Sequence, residues 1–344
     1  MNILVLGGTQ FSGRSFVEQA SDAGHQVTVL HRSPEAPGLP DAVRHLVGDR
    51  DPKDPGNKGD GLGAIKALLD NGERFDSVID MCGYTPRVVR ASCEILKDHT
   101  DQYTFISTIS VYDKAPADAV LDEDAPKVVL ADPTIDPSFE ELSNENYGGL
   151  KVLCEQVVTE IFPDNHCIPR PCVIAGPNDP TDRVTWWARM LNTQDAMMIP
   201  TGDVGYASFI DSRDLGAFFL HCATNKIMGI FNTTGPEPDL PLTSFIQRTH
   251  NALESKTTMI EADLPWFESQ DITPWKDIPT WLPAESQYMH RHRSDRARAV
   301  GLTNRPLEDT MRAIRDWDQQ RGASELKAGM KPERMQAAVD AMRV

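Results

Sequence analysis

Along the first half of the chain, short apolar runs alternate with amphipathic stretches in which apolar residues recur every three to four positions. Continuous apolar runs of this length indicate strands buried on both faces, and the amphipathic stretches indicate helices that pack on them. The alternation predicts parallel βαβ units with helices on both faces of one sheet. The predicted strands are NILVL (2–6), HQVTVLH (25–31), VRHLVGD (43–49), FDSVIDMCG (75–83) and QYTFIST (102–108), and the predicted helices are SGRSFVEQASDAG (12–24), GLGAIKALLDNG (61–72), PRVVRASCEILKDH (86–99) and NYGGLKVLCEQVVTEIF (146–162).

The second half of the chain is less regular. Asp, Glu and Pro predominate between Ala115 and Ser143, and we expect a loop there. The proline-rich stretch DLPWFESQDITPWKDIPTWLP (263–283) shows no periodicity, whereas PLEDTMRAIRDWDQQ (306–320) and KPERMQAAVDAMRV (331–344) predict two helices near the end. The sequence therefore predicts a regular α/β unit followed by a smaller, irregular region.

Composition excludes several classes of protein. The chain has 344 residues, of which 40% are hydrophobic and 25% charged, as in soluble globular proteins. A net charge of -17 argues against a protein that coats nucleic acid or an anionic membrane, because both roles need a basic surface. No apolar run is long enough to span a bilayer, and the start does not read as a signal peptide, so we expect a cytoplasmic protein. The six cysteines show no C-x-x-C spacing, so we expect reduced thiols and no metal site.

The segment GGTQFSG (7–13) joins the first predicted strand to the first predicted helix. A glycine turn in this place can cradle a pyrophosphate, since glycines let the backbone approach the phosphates and a helix N-terminus offers free N–H groups. Gly7 would make the tight turn and Gly13 would let the helix pack close to the strand. An ordinary βα loop is the alternative. We predict a Rossmann-type dinucleotide-binding domain over residues 1–175, to which parts of 204–234 return, and a substrate-binding region over 176–203 and 235–344.

The end of the second predicted strand bears on the choice of dinucleotide. Proteins that prefer NAD usually carry a carboxylate there to accept a hydrogen bond from the ribose 2′-hydroxyl. This chain has His31 and Arg32 instead. A guanidinium can bind a 2′-phosphate, so we expect NADP(H) rather than NAD(H). The alternative is that Arg32 is a solvated loop charge.

The long helix predicted at 146–162 contains Tyr147 and Lys151. Their spacing of four residues places both side chains on one helix face. A nearby ammonium stabilises a phenolate and lowers its pKa, so such a pair suits proton transfer accompanied by hydride transfer to or from a nicotinamide. An ordinary helix surface is the alternative for this spacing taken alone.

These motifs together resemble the extended and atypical branch of the short-chain dehydrogenase/reductase superfamily, whose members include NAD-dependent epimerases and dehydratases. The branch usually shows T-G-x-x-G-x-x-G; here Leu6 holds the Thr position and Gln10 replaces the middle glycine. The resemblance runs from residue 2 to about 318. It is carried further by YTFISTISVYD (103–113), RPCVIAGP (170–177) and ASFIDSRDLGAFFLHCA (207–223).

The resemblance implies roles for individual residues. Thr108 would bind the substrate oxygen and orient it toward Tyr147, although a strand-end hydroxyl that caps the backbone is the alternative. Tyr147 would transfer the proton, and Lys151 would hold the nicotinamide ribose. Asp214 would cap the helix that follows FID. The implied cofactor contacts are Gly7, Thr9, Gln10, Phe11, Gly13, His31, Arg32, Asp49, Met81, Cys82, Gly83, Ser107, Tyr147, Lys151, Pro171 and Val173.

Two departures limit the substrate assignment. Many extended members bind the diphosphate of a nucleotide sugar with an Asn and an Arg, but the matching positions here are Val173 and Ala207. Replacement by another arginine is open, and ion-paired or surface arginines are the alternative; the candidates are Arg183, Arg189 and Arg213. The tryptophans Trp186, Trp187, Trp266, Trp275 and Trp281 can line an apolar pocket, although core packing is expected by default. The basic stretch 289–298 is expected to be a solvated helix face, with an anion site as the second interpretation.

We therefore predict an NAD(P)-dependent oxidoreductase that reduces a carbonyl or oxidises an alcohol of a small-molecule substrate. One alternative is a nucleotide-sugar epimerase or dehydratase with retained NAD. The other is a non-catalytic dinucleotide-sensing or RNA-binding protein, against which the retained Thr108, Tyr147 and Lys151 speak. The resemblance also implies a homodimer.

Overall fold

A single seven-stranded sheet organises the first two thirds of the chain. The computed structural model describes residues 1–33, 35, 38–51, 53, 59–322 and 324–343. The strands are β1 (Asn2–Leu6), β2 (Gln26–His31), β3 (Arg44–Val47), β4 (Ser77–Asp80), β5 (Tyr103–Phe105), β6 (His166–Pro171), β7 (Val173–Ala175), β8 (Ala196–Pro200), β9 (Phe209–Asp211), β10 (Gly229–Thr233) and β11 (Thr258–Ala262). The helices are α1 (Phe11–Asp22), α2 (Gly61–Asp70), α3 (Pro86–Leu96), α4 (Tyr147–Ile161), α5 (Arg183–Thr193), α6 (Ser212–Asn225), α7 (Leu242–Ala252), α8 (Leu264–Ser269), α9 (Asp295–Ala299), α10 (Leu307–Arg321) and α11 (Pro332–Arg343).

The sheet is parallel throughout, with the strand order β3-β2-β1-β4-β5-β6-β10. The order reverses between β1 and β4, and parallel sheets bind ligands outside the carboxyl ends of the strands at such a reversal. The predicted Rossmann-type α/β fold is therefore confirmed. Residues 115–143 form a loop, as expected, with one short 3-10 helix at Phe139–Glu141.

Burial on both faces explains why the strands are continuously apolar. In β1, Ile3 and Val5 pack into one hydrophobic cluster with Phe16, while Leu4 and Leu6 pack into a second one on the other side of the sheet. All four of these β1 residues are fully buried. Side chains alternate across a strand, so a strand covered by helices on both faces needs apolar residues at every position.

A third hydrophobic cluster holds the irregular C-terminal part together. Trp186, Trp187 and Trp281 lie inside it, and the indole N–H groups of the first two donate to the carbonyls of Met330 (2.9 Å) and Pro279 (2.7 Å). A buried indole whose N–H is bonded in this way stabilises a core and leaves no apolar pocket wall. These three tryptophans therefore pack in the core, as expected.

The start of α6 differs from the expectation. Asp211, the last residue of β9, is the N-cap, and its carboxylate accepts a hydrogen bond from the backbone N–H of Arg213 (2.8 Å). Asp214 lies in the first helical turn and accepts from the backbone N–H (2.8 Å) and the Nε (2.7 Å) of Arg305. The prediction of Asp214 as the cap was wrong because β9 passes directly into α6 without an intervening turn. Across the described ranges, no helix combines the length and the apolar character that a membrane span requires.

Candidate active site

The turn between β1 and α1 can be built only from glycines. Gly7 and Gly8 have φ angles of 92° and 90°, which L side chains rarely adopt. A Cβ on Gly8 would lie 2.7 Å from Cγ1 of Val5, and one on Gly13 would lie 2.6 Å from the Cα of Gly8. The backbone of α1 is thus pressed against the turn. Sequence reasoning gave no role to Gly8, although the Gly-Gly pair was the signal.

The N-terminus of α1 faces this turn without a side-chain cap. Gln10 is the N-cap residue, but its exposed side chain makes no capping hydrogen bond, and no acidic residue lies in the first turn. The first backbone N–H groups of a helix have no partner within it, and they favour an anion. Because the Gln10 side chain is exposed and does not cap these N–H groups, the glycine turn fits a pyrophosphate. Thr9 and Phe11, also predicted contacts, flank Gln10 in this turn.

The segment after β4 closes the other side of the glycine turn. A Cβ on Gly7 would lie 3.2 Å from Sγ of Cys82. Asp80 holds this segment, because one of its oxygens accepts from the backbone N–H of Cys82 (3.1 Å) while its carboxylate forms two 2.8 Å bonds to the buried guanidinium of Arg50. The Arg50–Asp80 pair was missed from the sequence; its signal was a charged residue at the end of a buried strand. Met81 and Gly83 lie in the same segment, as predicted from the family.

At the end of β2, the two residues expected at the ribose have different surroundings. His31 is buried, and its Nε2 lies 2.9 Å from Nδ1 of His45. Burial lowers the pKa of His31, so the ring is neutral at pH 7. Arg32 is half exposed and lies 3.8 Å from Oδ2 of Asp49. Of these two side chains, only that of Arg32 is exposed to a ligand, and the Asp49 carboxylate is the counter-ion of its guanidinium.

Thr108 and Tyr147 are brought together at the carboxyl end of β5. Thr108 follows that strand and Tyr147 is the first residue of α4, and the Thr108 hydroxyl lies near enough to the phenol to oppose the rise in pKa that burial causes. Gly148 makes this possible, because a Cβ there would lie 2.2 Å from the carbonyl oxygen of Ser110. The Thr108 hydroxyl also accepts from the backbone N–H of Ser110 (3.1 Å). The capping role weighed for Thr108 thus exists beside the contact with Tyr147.

Lys151 lies one turn further along α4, buried beneath the site. Its ammonium donates to the carbonyl oxygens of Gly83 (2.8 Å) and Ile106 (2.5 Å) and lies 4.0 Å from the ring centroid of Phe105. Burial lowers the pKa of Lys151 to about 8. The lysine therefore ties the segment after β4 to the segment after β5.

The electrostatic environment of Tyr147 differs from the one expected. Burial raises the pKa of the Tyr147 phenol, and the neighbouring Thr108 hydroxyl and the positive charge of Arg183 oppose this rise. Lys151 is directed at backbone carbonyls instead. The expectation that Lys151 acidifies Tyr147 is thus wrong for this arrangement, because the ammonium already has two acceptors on the other side of the helix face.

Beneath the site, a buried polar network fixes α4 to β6. The Ser107 hydroxyl donates to Oε1 of Glu155 (2.5 Å), so this predicted cofactor contact is directed into the network. Glu155 pairs with Arg170 through two bonds of 2.8 Å and 2.7 Å, and Arg170 also donates to the hydroxyl of Tyr112 (2.8 Å). Pro171, the last residue of β6, and Val173, the first residue of β7, follow on from this network along the chain.

The two positions that bind a substrate diphosphate in many extended members are Val173 and Ala207 here. The three candidate replacement arginines differ in whether they pair with a carboxylate. Ala207 is buried and contributes no charge. Arg189 pairs with Asp318 (2.6 Å) and Arg213 with Asp211 (2.6 Å). Arg183 alone of the three has no carboxylate partner among the residues described, and its guanidinium lies 5.3 Å from the ring centroid of Trp275.

The basic stretch 289–298 is not a solvated helix face. His290 and His292 are buried, and burial lowers the pKa of each to about 4. Arg291 pairs with Asp239 (3.3 Å), and Arg296 pairs with Asp124. Carboxylates thus pair with arginines of this stretch and two of its histidines are buried, which explains why it is not the expected solvated helix face. In the parts of the chain that are described, no group of three or more His, Cys, Asp or Glu side chains is arranged to hold a metal ion.

Comparisons with known proteins agree with this architecture. No protein-family model matches the chain. The chloroplast stem-loop binding protein of 41 kDa b from Arabidopsis thaliana is 27% identical over 248 residues, which cover 68% of this chain and 58% of that protein's length. The crystal structure of a UDP-glucose 4-epimerase is similar with a TM-score of 0.66 at 15% identity, over 94% of this chain and 100% of the other.

A second solved structure, the UDP-glucuronic acid 4-epimerase from Bacillus cereus in complex with NAD, is similar with a TM-score of 0.62 at 18% identity. It covers 94% of this chain and 100% of its own. Similarity at this level of identity reports on the fold. It confirms the predicted fold: this protein has the same Rossmann-type α/β fold as these two UDP-sugar 4-epimerases.

Proposed function

We propose that this protein is an NAD-dependent enzyme of the epimerase/dehydratase type, with Tyr147 as its proton-transfer residue. The observation that carries the proposal is the packing of the start of α4, where Tyr147 lies, on the segment of Thr108 and Ser110 after β5: a Cβ on Gly148 would lie 2.2 Å from the carbonyl oxygen of Ser110, and Lys151 is buried one turn further along the helix. Proton transfer needs a donor within hydrogen-bond reach of the substrate oxygen and a second group that holds that oxygen in place. These residues supply both.

Each residue has a separate task. Thr108 binds the substrate oxygen, and Tyr147 gives a proton to that oxygen or takes one from it. Because burial raises the pKa of Tyr147, the phenol is protonated at neutral pH and is set to donate. Lys151 positions the nicotinamide ribose. The dinucleotide supplies hydride transfer when it is bound.

Recycling of the dinucleotide is better supported than net oxidation or reduction. Two structural neighbours are named as 4-epimerases of UDP-sugars, which favours the epimerase or dehydratase alternative over a simple oxidoreductase. An enzyme that returns its hydride to the substrate keeps its dinucleotide. We therefore expect the purified protein to retain dinucleotide that absorbs near 340 nm in the reduced form and exchanges slowly.

We propose NAD(H) as the dinucleotide. The prediction of NADP(H) depended on a free Arg32, but the carboxylate of Asp49 lies 3.8 Å from its guanidinium and opposes a 2′-phosphate. One structural neighbour was solved in complex with NAD. Titration with NADH and NADPH, followed by fluorescence, tests this choice; tighter binding of NADPH would restore the NADP(H) prediction.

We propose that the substrate carries a negatively charged group that reaches Arg183. The charge of this arginine lowers the pKa of the Tyr147 phenol and of the buried Asp179 carboxylate. It forms no ion pair within 4 Å among the described residues, and its guanidinium lies against Trp275. A guanidinium held on an aromatic face retains its donors for an anion. Arg183→Gln should raise KM for an anionic substrate, whereas Arg312→Gln on the exposed face of α10 should not.

Replacement of the phenol tests the central proposal. Tyr147→Phe should remove turnover of a substrate found by screening sugar nucleotides and small carbonyl compounds, while NADH still binds. The control is Tyr288→Phe, which also removes one hydroxyl. Turnover by Tyr147→Phe at the wild-type rate would exclude Tyr147 from the mechanism.

RNA binding is a second candidate, supported by the name of the Arabidopsis relative. The net charge of -17 and the neutralised stretch 289–298 oppose it. A gel-shift assay with an RNA stem-loop at about 0.15 M salt separates the two functions. The homodimer stays a prediction, which light scattering would test.

A further inference from the structure

An exposed aromatic side chain lies near the segments that follow β2 and β4. Phe139 lies on the short 3-10 helix that precedes α4, and it is 52% exposed. Its ring lies 5.0 Å from the ring of Tyr84, centroid to centroid, and 6.0 Å from the guanidinium carbon of Arg32. Neither Phe139 nor Tyr84 belongs to the set of site residues predicted from the sequence.

The positions of these two contacts in the sheet locate Phe139. Arg32 follows β2 and Tyr84 follows β4, and β1 lies between these strands. The glycine turn leaves the carboxyl end of β1. A half-exposed ring that lies near residues on both sides of that turn places the 3-10 segment at the solvent side of the turn.

Ion pairs anchor the same segment to the dinucleotide-binding half. Asp136 pairs with Lys53 and with Nε of Arg87 (2.8 Å), which lies in the first turn of α3. Arg87 also binds Asp51, which follows β3, with 3.0 Å between Nη2 and Oδ2. Ser138 donates its backbone N–H to the carboxylate of Glu141 (2.8 Å), which holds the turn around Phe139 in shape.

We propose that residues 131–142, called here the strap, form a third wall of the dinucleotide site, with Phe139 as the side chain that packs on the bound dinucleotide. This inference rests on the proposed function. An aromatic face beside a guanidinium suits the ring faces and ribose of an adenosine-containing dinucleotide. Release of the dinucleotide then requires the strap to lift, which retains the dinucleotide between turnovers, as recycling chemistry needs.

The test measures dissociation of NADH by stopped-flow displacement with excess NAD, using NADH fluorescence. Phe139→Ala should accelerate dissociation and weaken binding about 3- to 10-fold, because a packed ring face is lost. Asp136→Asn should act in the same direction by loosening the anchor. Val129→Ala is the control, since this side chain lies in the same loop region and is 87% exposed. Circular dichroism of each variant checks that the fold is retained.

The outcomes separate this inference from the proposed function. If the wild-type protein binds neither NADH nor NAD, both are overturned. If the wild type binds and Phe139→Ala releases NADH at the wild-type rate, only the strap is overturned. Tighter binding by Phe139→Ala would also overturn it, because the ring would then obstruct the site. Phe139→Leu, which keeps apolar bulk without the aromatic face, should fall between the wild type and Phe139→Ala.

Discussion

Replacement of Glu155 by Gln tests how the catalytic helix is held. The change keeps the shape of the side chain and removes its charge, which leaves the guanidinium of Arg170 without a counter-ion. Arg170 is fully buried and the side chain of Glu155 is 4% exposed. Two bonds of 2.8 Å and 2.7 Å join them, and the Ser107 hydroxyl donates to the same carboxylate at 2.5 Å.

The expected loss follows from this burial. Removal of one partner of a buried ion pair strands the other charge in a medium of low polarity and costs about 3–5 kcal/mol. We expect Glu155→Gln to lower the free energy of unfolding by about this amount. Since Glu155 lies one turn beyond Lys151 on α4, turnover should fall as well.

Urea unfolding followed by circular dichroism measures the loss through the denaturation midpoint and slope. Glu160→Gln is the matched control on the same helix, because Glu160 pairs with Arg90 at the surface with 62% of its side chain exposed. Exposed pairs contribute little, so its midpoint should stay near the wild-type value. If Glu155→Gln shifted the midpoint no more than Glu160→Gln does, the reasoning about the buried pair would be refuted.

Three further predictions concern the glycine turn, a buried histidine and the buried lysine. Gly13→Ala should weaken NADH binding at least tenfold and cost about 1–3 kcal/mol of stability, as fluorescence titration and urea unfolding would show, because its Cβ would lie 2.6 Å from the Cα of Gly8. Burial lowers the pKa of His292 from 6.5 to about 4, so between these pH values the unfolded state binds more protons, and the free energy of unfolding falls as the pH falls. His292→Asn should remove about 3 kcal/mol of this pH dependence, which urea unfolding at pH 4 and pH 7 would measure. Because the pKa of Lys151 is about 8, its charge is present below that pH, and the affinity for NADH should fall as the pH rises from 7 to 9. An unchanged affinity would contradict a role for the ammonium in binding. Lys151→Arg should abolish this pH dependence.

The regular half of the fold was predictable because its signals are local. The inner strands of the sheet, such as β1, β4 and β5, are covered on both faces, so nearly all of their side chains are buried, and the glycine turn marks the junction of β1 and α1. The C-terminal part was not predictable in the same way, because its two small sheets pair β8 with β11 and β7 with β9, which are distant along the chain. The prediction that Asp214 caps α6 was wrong for a related reason. The end of β9 decides where α6 begins, and the N-cap is therefore Asp211.

The amino-acid sequence alone determined which residues share an element. It placed Tyr147 and Lys151 one turn apart on one helix. It also placed glycines in the turn between β1 and α1, where Gly13 packs against Gly8. Only the tertiary structure decided which charges face one another. Arg189 and Arg213 pair with aspartates whereas Arg183 lies against Trp275. The ring of Phe139 lies near Tyr84 and Arg32, which follow two different strands. Such contacts join residues far apart in the chain, and the free energy of each depends on burial, which spacing along a sequence does not encode.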